Sequence, residues 1–74
     1  MTRYLNLSGE SNVWGYEIGT AYIRVRFNDG SIYLYTYESA GKFHIENMKQ
    51  LAVAGQGLNS YINRHVKYSY ASKE

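Results

Sequence analysis

The sequence contains no cysteine and no proline. Without cysteine there can be no disulfide staple, no thiolate metal site and no thiol nucleophile, and the reducing cytoplasm is the default compartment. Histidine is scarce, at two residues, and the formal net charge is only +2. That charge is too small to argue for tracking along a long nucleic acid, which wants a continuous basic stripe. No apolar run approaches the roughly 18 to 20 residues of a membrane span, and the amino terminus lacks the layout of a signal peptide. A soluble, cytoplasmic protein with no membrane partner is therefore expected. Length excludes more: 74 residues hold one core of about three to five short elements, so residues 1–74 read as a single domain and a large multi-step enzyme is ruled out. A domain this short buries only about 60% of its unfolded surface, and association into a homo-oligomer is one usual remedy.

What the chain has in excess is tyrosine, at nine residues, beside one tryptophan and two phenylalanines. With 45% hydrophobic and 19% charged residues, the composition is one that folds rather than one that stays disordered. Residues 1–10 read as an N-terminal arm or short strand. Ser11 to Ile18 fits a strand in which Gly15 marks a bulge or a close backbone approach. After a turn at Gly19-Thr20, Ala21 to Phe27 alternates: Ala21, Ile23, Val25 and Phe27 point one way, and Tyr22, Arg24 and Arg26 the other. Asn28-Asp29-Gly30 signals a turn into Ser31–Tyr37, which completes a hairpin.

Two registers suit that hairpin, and they place the tyrosines on opposite faces. A two-residue turn at Asp29-Gly30 sets Arg26 opposite Tyr33 and Arg24 opposite Tyr35, giving an arginine and tyrosine ladder. A three-residue loop with Gly30 as a left-handed bulge sets Val25 opposite Tyr33 and moves the tyrosines to the Val25 side. After Glu38 the period becomes helical. Ser39 can cap a helix carrying Phe43, Met48, Leu51, Ala52 and Ala54, which Gly55 ends. A second helix from Leu58 presents Leu58, Tyr61, Ile62, His65 and Val66 on one side and Ser60, Asn63, Arg64 and Lys67 on the other. Residues 69–74 read as a fraying tail, with Tyr68 and Tyr70 able to pack back. The expected fold class is α+β: a small antiparallel meander of three to four strands followed by two helices packed on one face.

Little here suggests catalysis. No serine sits in a nucleophile elbow or beside an evident base. His44 and Glu46 stand two apart on a helix and diverge, with no third ligand at metal spacing. His65, on the apolar side, reads as a packing residue. No catalytic residue, metal or cofactor is expected. Gly55-Gln56-Gly57 reads as a glycine-rich helix-to-helix turn rather than a phosphate cradle. The informative constellation is Tyr16, Arg24, Arg26, Tyr33 and Tyr35, with Asn63, Arg64 and Lys67 on the outer side of the last helix. Arginine pairs with phosphate oxygens through its planar fork, tyrosine stacks on bases and asparagine can read a base edge. Any single tyrosine fits a core role better, but nine in so short a chain are more than a core needs. Together these residues suit a small anionic nucleotide ligand.

From about Ser11 to Tyr70 the chain also resembles the KTSC domain, a small module fused to some lysyl-tRNA synthetases and free-standing in bacteria and phages. The resemblance rests on Gly15-Tyr16 followed by an acid, the strand residues Ile23, Val25 and Phe27, the turn glycine Gly30, the pair Tyr33 and Tyr35, and the stretch Tyr61-Ile62-Asn63-Arg64-His65-Val66-Lys67. The chain departs from the family pattern at Glu17, at Ser39-Ala40 and in extra residues between Gly57 and Tyr61. The resemblance implies that Tyr33 and Tyr35 share the core side with Val25. Two functions follow as expectations. One is a non-enzymatic nucleotide binder, of the kind that phages use as sponges for the cyclic nucleotide signals of bacterial immunity, acting in the host cytoplasm if the chain is phage-encoded. The other is an RNA, tRNA or protein-interaction accessory module.

Overall fold

The computed structural model describes all residues, Met1–Glu74. Strands β1 (Thr2–Arg3), β2 (Val13–Ile18), β3 (Tyr22–Phe27), β4 (Ile32–Thr36) and β5 (Ser72–Lys73) form one antiparallel sheet in the order β1-β2-β3-β4-β5. Between β4 and β5 come α1 (Tyr37–Ala40), α2 (Lys42–Ala54) and α3 (Leu58–Tyr61), the last continued by a π-helical turn, Ile62–Val66. The fold is α+β, as expected, with a five-stranded sheet whose two edge strands are only two residues long. No helix is long and apolar enough to cross a membrane.

The β3–β4 hairpin adopts the bulged register. Val25 stands opposite Tyr33 and Ile23 opposite Tyr35, and the Phe27 carbonyl accepts from the N–H of Gly30 at 2.9 Å. Gly30 sits at φ 90°, a left-handed conformation that a side chain would strain. The consequence runs through the whole molecule. Because successive residues face opposite sides, Tyr33 and Tyr35 join Ile23 and Val25 on the helix side, while Arg24 and Arg26 fall opposite Leu34 and Ile32 on the other. The expected bulge in β2 is also present, with the pairing to β3 shifting between Val13 and Gly15.

The core lies between the sheet and the helices. Val13, Ile23, Val25 and Tyr35 meet Ile45, Met48 and Ala52 of α2 and Leu58, Ile62 and Val66 of the last helix, with Tyr4 of the arm closing one end. Two helical details differ from the sequence expectation. Thr36, not Ser39, is the N-cap: its hydroxyl accepts the Ser39 N–H and the Ser39 hydroxyl accepts the Thr36 N–H, each at 3.0 Å, a reciprocal capping box. Since α2 starts anew at Lys42, the stripe facing the sheet is Ile45, Met48 and Ala52, spaced three and four apart as one helix face requires, and Phe43 is turned outward, 74% exposed.

The tail does not fray. Ser72–Lys73 pairs with β4, and the N–H groups of Ala71 and Glu74 donate to the carbonyls of Leu34 and Ile32. Two side chains account for this order. The Tyr70 ring meets Tyr33 edge-on at 4.9 Å between centroids, and Glu74 accepts two hydrogen bonds from Arg24 Nη2 at 2.8 and 2.9 Å.

Candidate functional site

The nine tyrosines divide into five that stand apart and four that gather at one place. Tyr4 is buried and its hydroxyl accepts the Leu58 N–H at 3.2 Å, satisfying an otherwise orphaned donor at the start of α3. Tyr16 packs against the core. Tyr22 donates to Glu17 at 3.0 Å and Tyr37 to Glu46 at 2.7 Å. Tyr61 lies 2.6 Å from His44 Nδ1 and accepts from Asn47 at 3.2 Å. The other four, Tyr33, Tyr35, Tyr68 and Tyr70, all line one groove of about 520 Å³.

This groove opens on the helix side of the sheet, beyond the end of the core. Its aromatic wall is built from β3, β4 and the segment before β5: Tyr33 and Tyr35 are parallel within 15° at 6.4 Å, Phe27 meets Tyr33 edge-on at 5.4 Å, and Tyr70 is edge-on to both tyrosines. Facing it, the last helix contributes Asn59, Ile62, Asn63 and Lys67. The π-helical turn explains that alignment. Its i→i+5 bonding widens the helix, so residues four apart stay nearly in line. Leu58, Ile62 and Val66 thus stay buried while Asn59, Asn63 and Lys67, one position on, face the groove. Asn12, Asn28, Asp29 and Ser31 close the end nearest the hairpin turn.

Tyr35 is the most telling of these residues. It is only 1% exposed and yet lines the groove. Its hydroxyl finds no partner within the protein, but no buried side-chain polar atom is sealed away unpaired, so the hydroxyl must open onto the groove. Burial, reinforced by Tyr33 and Tyr70, pushes its ionisation far above the ordinary tyrosine range, which keeps it a hydrogen-bond donor. At the opposite rim Asp29 Oδ1 accepts the Ser31 hydroxyl at 2.6 Å and the Ser31 N–H at 2.9 Å. Those bonds hold the carboxyl below the usual range. The groove therefore offers an aromatic wall, the carboxamides of Asn12, Asn59 and Asn63, one carboxylate and the ammonium of Lys67. A second ammonium, Lys73, stands 5.3 Å over the Tyr33 ring.

Of the residues singled out in the sequence, Tyr33, Tyr35, Asn63 and Lys67 come together here. Four do not. Arg24 and Arg26 lie on the other face of the sheet, because the bulged register separates them from the tyrosines. Both are already engaged: Arg24 pairs with Glu17 and Glu74, which hold it more firmly protonated, and the Arg26 guanidinium lies 4.4 Å over Trp14, which Arg3 also covers at 4.5 Å. Tyr16, opposite Val25 in the β2–β3 ladder, belongs to the core flank. Arg64 is exposed and turned away from the groove by one helix position. As site residues, Asn12, Asn28, Asp29, Asn59, Tyr68 and Tyr70 were missed from the sequence. Only Asn59 carried a signal, its spacing of four from Asn63 and eight from Lys67.

Elsewhere, His65 is exposed rather than packed on the apolar side, since the π turn rotates it off the Leu58–Ile62–Val66 line. It stacks on His44 at 5.4 Å and lies 4.5 Å from Tyr61. His44 and Glu46 do diverge, the first toward Tyr61 and the second toward Tyr37 and Lys49. Gly55, at φ 78°, closes α2 with its N–H on the carbonyls of Leu51 and Ala52, a left-handed helix stop. No family model matches this sequence, and no curated protein or solved structure is significantly similar to it.

Proposed function

We propose that this protein is a binding module without turnover, whose ligand is a small nucleotide-type molecule. The base lies against the tyrosine wall, its edge meets the carboxamides of Asn59 and Asn63 and the Tyr35 hydroxyl, and a phosphate sits at Lys67. The observation that carries this reading is the convergence of four tyrosine side chains, Tyr33, Tyr35, Tyr68 and Tyr70, on one groove. Aromatic faces accept any base by stacking, and carboxamides supply the donor and acceptor pairs that base edges require. The arginines leave the ligand site in this reading, so the phosphate load is light. Neither histidine lines the groove, in keeping with sequestration rather than chemistry. Capture of a cyclic nucleotide signal by a phage-encoded sponge, and the resemblance to free-standing KTSC proteins of phages, are the biological form of the proposal.

Thermal unfolding with mononucleotides and cyclic dinucleotides tests it. At a hundredfold excess over Kd, binding adds about 2.7 kcal/mol, and a domain of this length should melt about 10 °C or more higher. The ligand should be recovered intact after heat release. No shift with any nucleotide at millimolar concentration would remove the proposal. An RNA or protein-interaction role is the second reading, favoured by the opposite sheet face, where Arg3 and Arg26 lie over Trp14 beside Ile32 and Leu34.

A further inference from the structure

The lining of the groove includes one carboxylate, Asp29, that the nucleotide reading does not require. At the hairpin end stands Asp29, with Oδ1 saturated by the N–H and hydroxyl of Ser31 and Oδ2 taking no hydrogen bond within the protein. The ammonium of Lys67 is carried by the facing helix, and the rings of Tyr33, Tyr35 and Tyr70 line the same groove. A free carboxylate oxygen accepts and never donates. Set against a base edge, it takes an exocyclic amine and repels a carbonyl oxygen at the same position, since two acceptors with no proton between them are both left unpaired.

From this juxtaposition we propose that Asp29 is a specificity residue, and that the groove selects nucleotides whose base bears an exocyclic amine: cytosine, adenine or guanine rather than uracil or hypoxanthine. The inference rests on the nucleotide reading of the groove and adds the class of base. The Ser31 bonds give it an unusually clean test. In Asp29→Asn the amide oxygen inherits both Ser31 donors, so the turn is retained, and the amide nitrogen is forced into the place of Oδ2. An acceptor becomes a donor with no change of shape. The preference for amine over carbonyl must then invert.

The experiment is isothermal calorimetry of the intact protein and of Asp29→Asn with two matched pairs, CMP against UMP and AMP against IMP, each pair differing chiefly in that one group. The parent protein should bind CMP and AMP about tenfold more tightly than UMP and IMP, the lower end of what a charged hydrogen bond discriminates. The variant, still folded at the assay temperature, should favour UMP and IMP. Equal affinity within each pair, or a preference that survives Asp29→Asn, overturns the assignment of Asp29 and leaves the nucleotide reading standing. Binding by none of the four overturns the assignment of Asp29, and with no thermal shift from a cyclic dinucleotide it overturns the nucleotide reading as well.

Discussion

Tyr35→Phe separates the two roles that a buried tyrosine can have. The ring is part of the core and stacks beside Tyr33, so Tyr35→Ala would empty a large aromatic site at a cost of about 3–5 kcal/mol, enough to unfold a domain this small. Deleting the hydroxyl alone keeps the ring and orphans nothing, because that oxygen bonds to no protein group and none is sealed away unpaired. Stability should then change by no more than about 0.5 kcal/mol, a shift in Tm of roughly 2–4 °C at most. Ligand affinity should fall by one hydrogen bond, about 0.5–1.5 kcal/mol, or about two- to thirteenfold in Kd. Urea unfolding and calorimetry with CMP, run on the same preparation, read both numbers. A loss of stability beyond about 1.5 kcal/mol would mean the hydroxyl has a structural partner, and unchanged affinity would mean it does not face the ligand; either result refutes the reasoning.

Three further outcomes are expected. Arg24→Ala removes the partner of Glu74 across the exposed face of the sheet, so the Ala71 and Glu74 amides that donate to β4 should exchange with solvent markedly faster while exchange in β2 and β3 is unchanged; uniform protection would show that the ion pair does not seat β5. Ile45, fully buried where α2 meets the sheet, should cost about 2–5 kcal/mol when replaced by alanine, leaving circular dichroism largely unfolded, whereas Phe43→Ala on the exposed flank should be nearly neutral. Because the Ser31 bonds depress the Asp29 pKa, the carboxylate is ionised above the unfolded value of about 3.9. Its stabilising bonds persist there and are lost as pH falls through the lower folded pKa. The affinity ratio of CMP to UMP should therefore be the same at pH 5 and pH 7, and a ratio already collapsing at pH 5 would contradict an ionised Asp29.

The sheet and the helices were legible because their periods are clean. Ile23, Val25 and Phe27 alternate with Arg24 and Arg26, and the turn Asn28-Asp29-Gly30 follows at once, so β3 and its hairpin partner could be placed from the residues alone. The register could not, since both turn types accept the same three residues, and that single step decided whether arginine and tyrosine share a face. The groove was half legible: Tyr33, Tyr35, Asn63 and Lys67 were found by their chemistry. Tyr68 and Tyr70 were not, because the short β5 that holds them has no strand pattern of its own and depends on Glu74 meeting Arg24, fifty residues away in sequence. The π turn was invisible for a related reason. Its widening is set by keeping Leu58, Ile62 and Val66 buried at intervals of four, a spacing that an ordinary helix also tolerates.

A titration of isotope-labelled protein with CMP, followed by amide NMR, tests most directly whether ligand goes to the tyrosine groove. Shifts should concentrate at Asp29, Ser31, Tyr33, Asn59, Asn63, Lys67 and Tyr70, with Trp14, Arg24 and Arg26 unmoved. Shifts centred on Trp14, Arg24 and Arg26 with a silent groove would contradict it and place any binding on the opposite face of the sheet.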